Sequence, residues 1–168
     1  MPHGSCRSGL RRVLYFGTVT GAMIRRLSRE DWPEWRRMRA ALWPDCRPEM
    51  HELEMAEQSA ASDATVFVHQ RPDGLLGGFI ELSIRDRVDG SLSPQVGYIE
   101  GWYVHPDLRG RGIGRQLIER AAEWARQCGL KELASDAEVT NEQSIRAHQA
   151  LGFRETFRLV HFLKPVQA

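Results

Sequence analysis

The sequence of 168 residues lacks several features that would assign it to a special class of protein. No apolar run reaches the roughly 20 residues that a membrane-spanning helix needs. Its 3 cysteines, Cys6, Cys46 and Cys128, show neither the paired spacing of a metal site nor an even disulfide set. No internal repeat, linker or low-complexity segment interrupts the chain. We therefore expect one domain in a reducing compartment, the cytoplasm, with no metal and no membrane partner.

Charge is nearly balanced overall, and its distribution is more informative than its sum. The formal net charge is +1 at pH 7, so the total excludes little, although we expect no nucleic-acid partner. Residues 44–63 combine a single basic side chain, Arg47, with the acids Asp45, Glu49, Glu52, Glu54, Glu57 and Asp63. This segment is either a solvated acidic face or a surface for a cationic ligand, and the residues alone leave both open.

Residues 1–22 differ from the rest of the chain, because they combine basic residues, glycines and a short, interrupted apolar stretch. The apolar part is short for a signal peptide, and no clear small-residue cleavage site follows it. We expect 1–22 to be an N-terminal extension outside the fold and 23–168 to be the functional domain.

The remaining pattern alternates strands with helices. Enrichment in β-branched and aromatic residues predicts strands at 22–28, 64–70, 75–85, 96–106, 131–138 and 154–164. Apolar residues at helical spacing predict helices at about 29–43, 48–60, 113–128 and 141–152. Gly101, inside the strand at 96–106, predicts a bulge or a bend. The sequence thus predicts an α/β domain with a mixed sheet.

A glycine-rich turn joins a strand to an amphipathic helix at "HPDLRGRGIGRQL", residues 105–117. It contains three glycines at alternate positions, Gly110, Gly112 and Gly114, with Arg109 and Arg111 immediately before the first two. Free N–H groups at a helix start favour phosphate, and glycine lets the main chain approach it closely. The turn lacks the Lys-Ser/Thr ending of a P-loop and the third glycine of G-x-G-x-x-G. The residues alone indicate either a phosphate site or a tight turn.

Two stretches of the chain match signatures of a known family. "YVHPDLRGRGIGRQLIERAAEWA" resembles the motif V-x-P-x-x-R-G-x-G-I-G with which the Gcn5-related N-acetyltransferases (GNAT) bind acyl-coenzyme A. "NEQSIRAHQALGF" resembles the family's second signature, an Asn-led helix that ends in Gly-Phe. The resemblance implies the GNAT fold, a largely antiparallel sheet flanked by helices. It also implies acetyl-CoA as the co-substrate, with its pyrophosphate on the turn amides.

Four shorter stretches resemble one branch of that family, the aminoglycoside 6′-N-acetyltransferases: "ALWP", "YIEGWYV", "LASD" and "HQALGF". The branch moves the acetyl group of acetyl-CoA to the 6′-amine of aminoglycoside antibiotics and so confers resistance. These substrates are polycations, which agrees with the acidic segment 44–63. The resemblance also implies a homodimer.

The resemblance assigns candidate residues to the site. The cofactor-binding candidates are Trp102, Tyr103, Val104, Arg109, Gly110, Arg111, Gly112, Ile113, Gly114, Arg115 and Asn141. The substrate-binding candidates are Trp43, Glu49, Glu52, Glu100 and Asp136. Asn141 could equally be an ordinary helix N-cap and Trp43 a core residue.

The catalytic candidates are Glu100, Asp136, Val104 and His148. An amine must lose a proton before it attacks a thioester, so a carboxylate is needed as base; we favour Glu100, through a water molecule, with Asp136 as anchor. The Val104 N–H would polarise the thioester carbonyl. His148 stands where most of the family has a tyrosine that protonates the departing thiolate, and it is either that acid or a satisfied, partly buried histidine.

These candidates imply direct acetyl transfer in a ternary complex, with neither a metal nor a covalent enzyme intermediate. Two alternatives remain. The acceptor could instead be a polyamine or a protein N-terminus, or the chain could be a non-catalytic acyl-CoA sensor. Acids at both Glu100 and Asp136 argue against the sensor, which has no need of a base.

Overall fold

A computed structural model describes residues 23–166, so the predicted extension at 1–22 lies outside the described residues. The strands are β1 (Met23–Arg26), β2 (Ala64–Gln70), β3 (Leu76–Asp86), β4 (Gln95–Val104) and β5 (Leu133–Ser135). The helices are α1 (Trp32–Leu42), α2 (Pro48–Ala60), α3 (Ile113–Gln127) and α4 (Glu142–Ala150). In the part of the chain thus described, no helix is long and apolar enough to cross a membrane.

The five strands form one sheet in the order β1-β2-β3-β4-β5. The first four are antiparallel to their neighbours, while β5 runs parallel to β4. This arrangement confirms the predicted α/β domain with a mixed, largely antiparallel sheet.

Helices cover both faces of the sheet and create two apolar cores. Helix α3 packs on one face, where its Leu117 joins Phe67, Ile80, Leu82 and Ile99 of the sheet. Helices α1 and α2 pack on the other face, where their Trp35, Met38 and Met55 join Val68 and Phe79 of the sheet. Because β2, β3 and β4 are covered on both faces, their sequences are nearly continuous apolar runs.

The predicted irregularity at Gly101 is a β-bulge. Glu81 of β3 lies opposite Gly101, whereas its neighbour Leu82 lies opposite Ile99, so Glu100 is the extra residue in β4. Side chains alternate along a strand, yet Ile99 and Trp102, three positions apart, both pack in the α3 core. The bulge explains why they share a face, because it turns two successive residues, Glu100 and Gly101, toward α1 and α2.

The prediction of a last strand at 154–164 is wrong for the structure described. Residues 153–166 have no regular secondary structure, and β5 is shorter than the predicted strand at 131–138. Phe157, Val160 and Phe162 are exposed along this segment. A strand forms only where its N–H and C=O groups find a partner, and a β-branched pattern by itself cannot say whether the same chain supplies one.

Candidate active site

The glycine-rich turn has the geometry of an anion site. Gly110 and Gly112 have φ of +75° and +82°, in the left-handed region that glycine adopts at little cost. A Cβ at either position would meet no heavy atom within 4 Å, so the space in front of the turn is open. Helix α3 begins directly after Gly112, and its first N–H groups have no partner within the helix. Ile113, Gly114 and Arg115 supply these groups.

Arginines surround the turn. The Arg109 Nε donates a hydrogen bond of 3.0 Å to the Val104 carbonyl, which ties the turn to the end of β4. Arg111 and Arg115 are exposed beside the first turn of α3. Positive charge at a helix N-terminus adds to the helix dipole, so the site suits a phosphate group.

The main chain of β4 alternates between its two neighbours. The His105 N–H donates to the Gly77 carbonyl of β3 at 2.9 Å, so Tyr103, two residues earlier, also turns toward β3. Trp102 and Val104 consequently turn their N–H groups toward the side of β5, which pairs with β4 only near its start. The Tyr103 main chain therefore pairs with β3 and its side chain is buried against Phe79, and its assignment to the cofactor stays a prediction.

His148 is held by contacts on every side. Its Nδ1 lies 2.8 Å from the Ser144 carbonyl and therefore donates, and its Nε2 lies 3.0 Å from the Ser135 hydroxyl. Its ring meets Trp102 and Phe153 edge to face, with centroids 5.3 Å and 5.2 Å away. The structure thus has the geometry of a satisfied, partly buried histidine. In this tautomer Nε2 accepts from the Ser135 hydroxyl and has no proton to deliver, so only the imidazolium form could act as an acid through Nε2.

Two further cofactor candidates have structural roles. The Asn141 side chain accepts a hydrogen bond of 3.0 Å from the Ser144 N–H, as an N-cap of α4 does. Its amide NH₂ is not needed for that bond. A Cβ at Gly114 would lie 2.8 Å from the Trp102 ring, so this glycine allows α3 to pack against β4.

An acidic cavity of about 790 Å³ opens between α1, α2 and the β4 bulge. The acids among its lining residues are Asp45, Glu54, Glu57, Asp63, Glu81, Glu100 and Glu138. Within the described part of the chain, Arg39 is the one basic residue in this lining. Such a concentration of carboxylates produces a negative potential that attracts cations.

Trp43 lies in the wall of the cavity, and its position explains why residue 101 is a glycine. A Cβ at Gly101 would lie 2.6 Å from the Trp43 ring, so only glycine leaves room for it. The Arg39 guanidinium lies 4.6 Å from the centroid of the Trp43 ring and also donates to Glu81 at 2.6 Å. Burial raises the pKa of Glu81, an effect that Arg39 and the Trp35 indole N–H oppose.

Glu100 lines the acidic cavity, and Asp136 lies close enough to Arg85 and Tyr98 to interact with both. Glu100 accepts a hydrogen bond of 2.8 Å from the Arg85 Nε and another from the Ser83 hydroxyl. The Arg85 guanidinium lies 3.6 Å from the centroid of the Tyr98 ring. Burial, together with the Asp136 carboxylate, raises the pKa of Tyr98 to about 12.

Sequence reasoning missed part of this site. Arg85 was not a candidate, although Glu81, Ser83 and Arg85 alternate along β3 and must share a face. Glu49 and Glu52 are not among the residues that line the cavity, and their assignment as substrate ligands stays a prediction. Glu52 is exposed and pairs with Arg36 at 3.1 Å. Other acids of the same segment, among them Asp45, Glu57 and Asp63, line it instead.

Comparisons with known proteins agree with this geometry. The family model described as acetyltransferase (GNAT) family matches residues 24–153. An aminoglycoside N(6′)-acetyltransferase type 1 from Stenotrophomonas maltophilia is 40% identical over 145 residues, covering 86% of this chain and 94% of the relative. Its counterpart from Klebsiella aerogenes is 40% identical over 147 residues, covering 86% and 97%.

Solved structures give the same result. AAC(6′)-Iy in complex with the bisubstrate analog CoA-S-monomethyl-acetylneamine is 35% identical, with a TM-score of 0.81 over 87% of this chain and 99% of that chain. AAC(6′)-Ih from Acinetobacter baumannii is 33% identical, also with a TM-score of 0.81, over 88% of this chain and 100% of that chain.

The turn amides are tested by Gly112→Ala, with Gly74→Ala as the matched control. Gly74 lies in the β2–β3 turn with φ of +88° and equally open surroundings, so both changes cause the same backbone strain. We expect Gly112→Ala to weaken acetyl-CoA binding at least tenfold by calorimetry, because one misaligned hydrogen bond to a charged group costs about 1.5–3 kcal/mol. Gly74→Ala should bind normally. Equal affinity in both folded variants would contradict a pyrophosphate site at this turn.

Proposed function

Because the chain belongs to the GNAT family of acetyltransferases, we propose that it transfers the acetyl group of acetyl-CoA to the 6′-amine of an aminoglycoside and so confers antibiotic resistance. The acidic cavity beside the β4 bulge is the observation that carries this proposal. Aminoglycosides are polycations, and a wall of carboxylates attracts them. The relatives of that name, at 40% identity over most of this chain, support the same substrate class.

The proposed reaction is direct transfer in a ternary complex. The cofactor lies along the open side of β4 with its pyrophosphate on the amides of the glycine-rich turn, and the aminoglycoside enters from the acidic cavity. Glu100, acting through a water molecule, removes a proton from the ammonium group, and the neutral amine attacks the thioester carbon. The C–S bond then breaks, and the thiolate of coenzyme A takes up a proton.

The spacing of residues along β4 favours an N–H group other than that of Val104 as the one that polarises the thioester carbonyl. Trp102 and Val104 both turn their N–H groups to the open side of β4. At about 3.3 Å per residue, Trp102 lies about 7 Å from Glu100 along the strand and Val104 about 13 Å. The base and the thioester carbonyl must both lie beside the same amine, so the N–H nearer to Glu100 is the better placed of the two. We therefore assign the oxyanion contact to Trp102 and a contact with the pantetheine arm to Val104.

Arg85 supports the assignment of Glu100 and Asp136 to a cationic group. Its guanidinium pairs with Glu100 and stacks on Tyr98, whose hydroxyl lies beside Asp136. An ammonium group of the substrate competes with Arg85 for these carboxylates. Asp136 then acts as the anchor, and Trp43 provides a flat wall for a sugar ring. His148 serves as the thiolate acid only in its imidazolium form, with the Nε2–H turned from Ser135 to the thiolate.

The alternatives predict different acceptors. A polyamine is also cationic, but it has no sugar ring to rest on Trp43, and a protein N-terminus carries a single charge that needs no cavity with so many acids. A non-catalytic acyl-CoA sensor gains nothing from acids at Glu100 and Asp136.

We further propose that the enzyme is a cytoplasmic homodimer whose catalytic unit is residues 23–168. The free thiol of Cys46 suits a reducing compartment. The support for a dimer is the segment 154–166, which has no regular secondary structure and carries exposed apolar side chains that include Phe157, Leu159, Val160, Phe162 and Leu163. An exposed apolar segment with unpaired main-chain groups is a surface for a second copy.

The base is tested by Glu100→Gln, with Asp136→Asn as its comparison. If Glu100 is the base, its amide should lower kcat for kanamycin by about 10²–10⁴-fold, and the loss should shrink as rising pH supplies free amine. Asp136→Asn should raise the kanamycin KM and leave kcat nearly unchanged, because it removes a contact made equally before and during reaction. A near-normal kcat and pH profile in Glu100→Gln would move the base to Asp136.

The acidic cavity is tested with two double variants of equal charge change. The variant Glu57→Gln/Asp63→Asn removes two negative charges from the cavity lining, while Glu49→Gln/Glu52→Gln removes two from outside it. Each exposed pair is worth under about 1 kcal/mol. We therefore expect the first variant to raise the kanamycin KM about three- to tenfold and to flatten its salt dependence. The second should match the parent, as should the acetyl-CoA KM of both; equal effects would contradict the cavity as acceptor site.

The dimer is tested by Phe162→Lys, with Leu92→Lys as control. Both side chains are exposed, at 92% and 101%, but only the first lies in the segment 154–166. We expect the parent and Leu92→Lys to sediment as dimers. Phe162→Lys should dissociate at least tenfold more readily, because a buried lysine disrupts an apolar contact. A monomeric parent, or equal dimer strength in both variants, would contradict the proposal.

A further inference from the structure

A second group of reactive side chains lies in the wall of the acidic cavity. Cys46 follows α1, and His51 and Glu54 lie on α2, three positions apart and hence on one face. Their ligand atoms, one from each residue, all lie within 4.8 Å of one another. The mechanism proposed above uses none of the three.

His51 is the observation that points to a ligand. Its side chain is 2% exposed, and neither ring nitrogen has a hydrogen-bond partner. A buried polar group without a partner costs about 1–3 kcal/mol, so such groups are rare in folded proteins. A metal ion bound to one nitrogen would satisfy this imidazole in a way that the surrounding protein does not.

The ligand set favours zinc. Thiolate, imidazole and carboxylate are the three groups that bind Zn²⁺ in proteins, whereas Mg²⁺ and Ca²⁺ prefer oxygen alone. With Zn–S at about 2.3 Å and Zn–N at about 2.0 Å, tetrahedral ligand atoms lie roughly 3.5 Å apart. The three side chains therefore need to close by about 1 Å, which the position of Cys46 in a loop allows. A water molecule would fill the fourth position.

Glu54 connects this group to the cavity. One carboxylate oxygen pairs with Arg39, which leaves the other to bind a metal ion. Cys46 and Glu54 both line the cavity in which the cationic acceptor is proposed to bind. A zinc ion here would add positive charge and occupy space on the acceptor side, far along the chain from the cofactor turn.

We propose that Cys46, His51 and Glu54 form a zinc site and that zinc bound there inhibits the enzyme by excluding the cationic acceptor. Binding exchanges the thiol proton of Cys46 for the metal ion and releases the proton to solvent, so affinity rises with pH. Zinc has no part in acetyl transfer. The binding half of the proposal stands on the geometry, while the inhibition half rests on the proposed function.

Binding is tested on the full chain by competition with a chromophoric zinc chelator and by Co²⁺ substitution. We expect one zinc per chain and a thiolate-to-cobalt absorption band. Cys46→Ser should weaken zinc at least tenfold and abolish the band, and Cys46 is exposed enough for the variant to fold. His51→Gln, checked for folding by circular dichroism, should weaken zinc similarly. Cys128→Ala, which removes a thiol elsewhere, should bind like the parent. Unchanged affinity in Cys46→Ser, or no binding by the parent, overturns the site.

Inhibition is tested separately by steady-state kinetics. Zinc should raise the kanamycin KM at least tenfold in the parent and in Cys128→Ala, with the acetyl-CoA KM unchanged, and should have no such effect in Cys46→Ser. Zinc that binds the parent without changing the kanamycin KM overturns the inhibition. If the enzyme does not acetylate kanamycin at all, the proposed function fails, while the cobalt and chelator measurements still decide the zinc site.

Discussion

One extra residue in β4 governs the arrangement of the site. Because no residue of β3 lies opposite Glu100 in the strand register, the bulge turns Glu100 and Gly101 toward α1 and α2, while Trp102 returns to the α3 side. Glu100 thus faces the acidic cavity, and the glycine beside it gives Trp43 its place in the wall. The main-chain groups of Trp102 turn to the open side of β4, next to the glycine-rich turn. A single irregularity thus brings together Glu100, proposed as the base, the acidic cavity, and the part of β4 proposed to bind the cofactor.

The electrostatics of the cavity depend on how its acids are balanced. Arg39 pairs with two of them, Glu81 in the interior and Glu54 at the wall, and it also stacks on Trp43. A buried carboxylate without such a partner would cost several kcal/mol, so this arginine allows the acids to remain inside. The other carboxylates are left to attract a cation. The proposed zinc site lies in the same wall, where Cys46 and Glu54 line the cavity and the unpartnered His51 lies behind them.

Much of the fold could be predicted from the sequence, because periodicity, glycines and caps are local signals. Gly101 predicted the bulge, and Gly110 and Gly112 predicted the turn. Features that depend on contacts between distant parts of the chain were harder to predict. The acidic segment indicated a cationic ligand, but not which side of α2 meets the cavity, so the sequence could not show that Glu49 and Glu52 lie outside its lining. The strand register decides where the Tyr103 N–H points, and one strand's sequence does not contain it. The segment 154–164 has a strand's composition, yet the described chain supplies no neighbour.

The central claim is that the acidic cavity delivers a 6′-amine to the thioester. It is tested most directly with two aminoglycosides that differ only at the 6′ position, one carrying an amine and the other a hydroxyl, with spermidine and a peptide as further acceptors. Release of coenzyme A thiol would be measured, and the product mapped by NMR. We expect rapid release and 6′-acetylation with the amine, and at most slow release with the other three. Equal turnover of the 6′-hydroxyl compound, or preference for spermidine or the peptide, would contradict it.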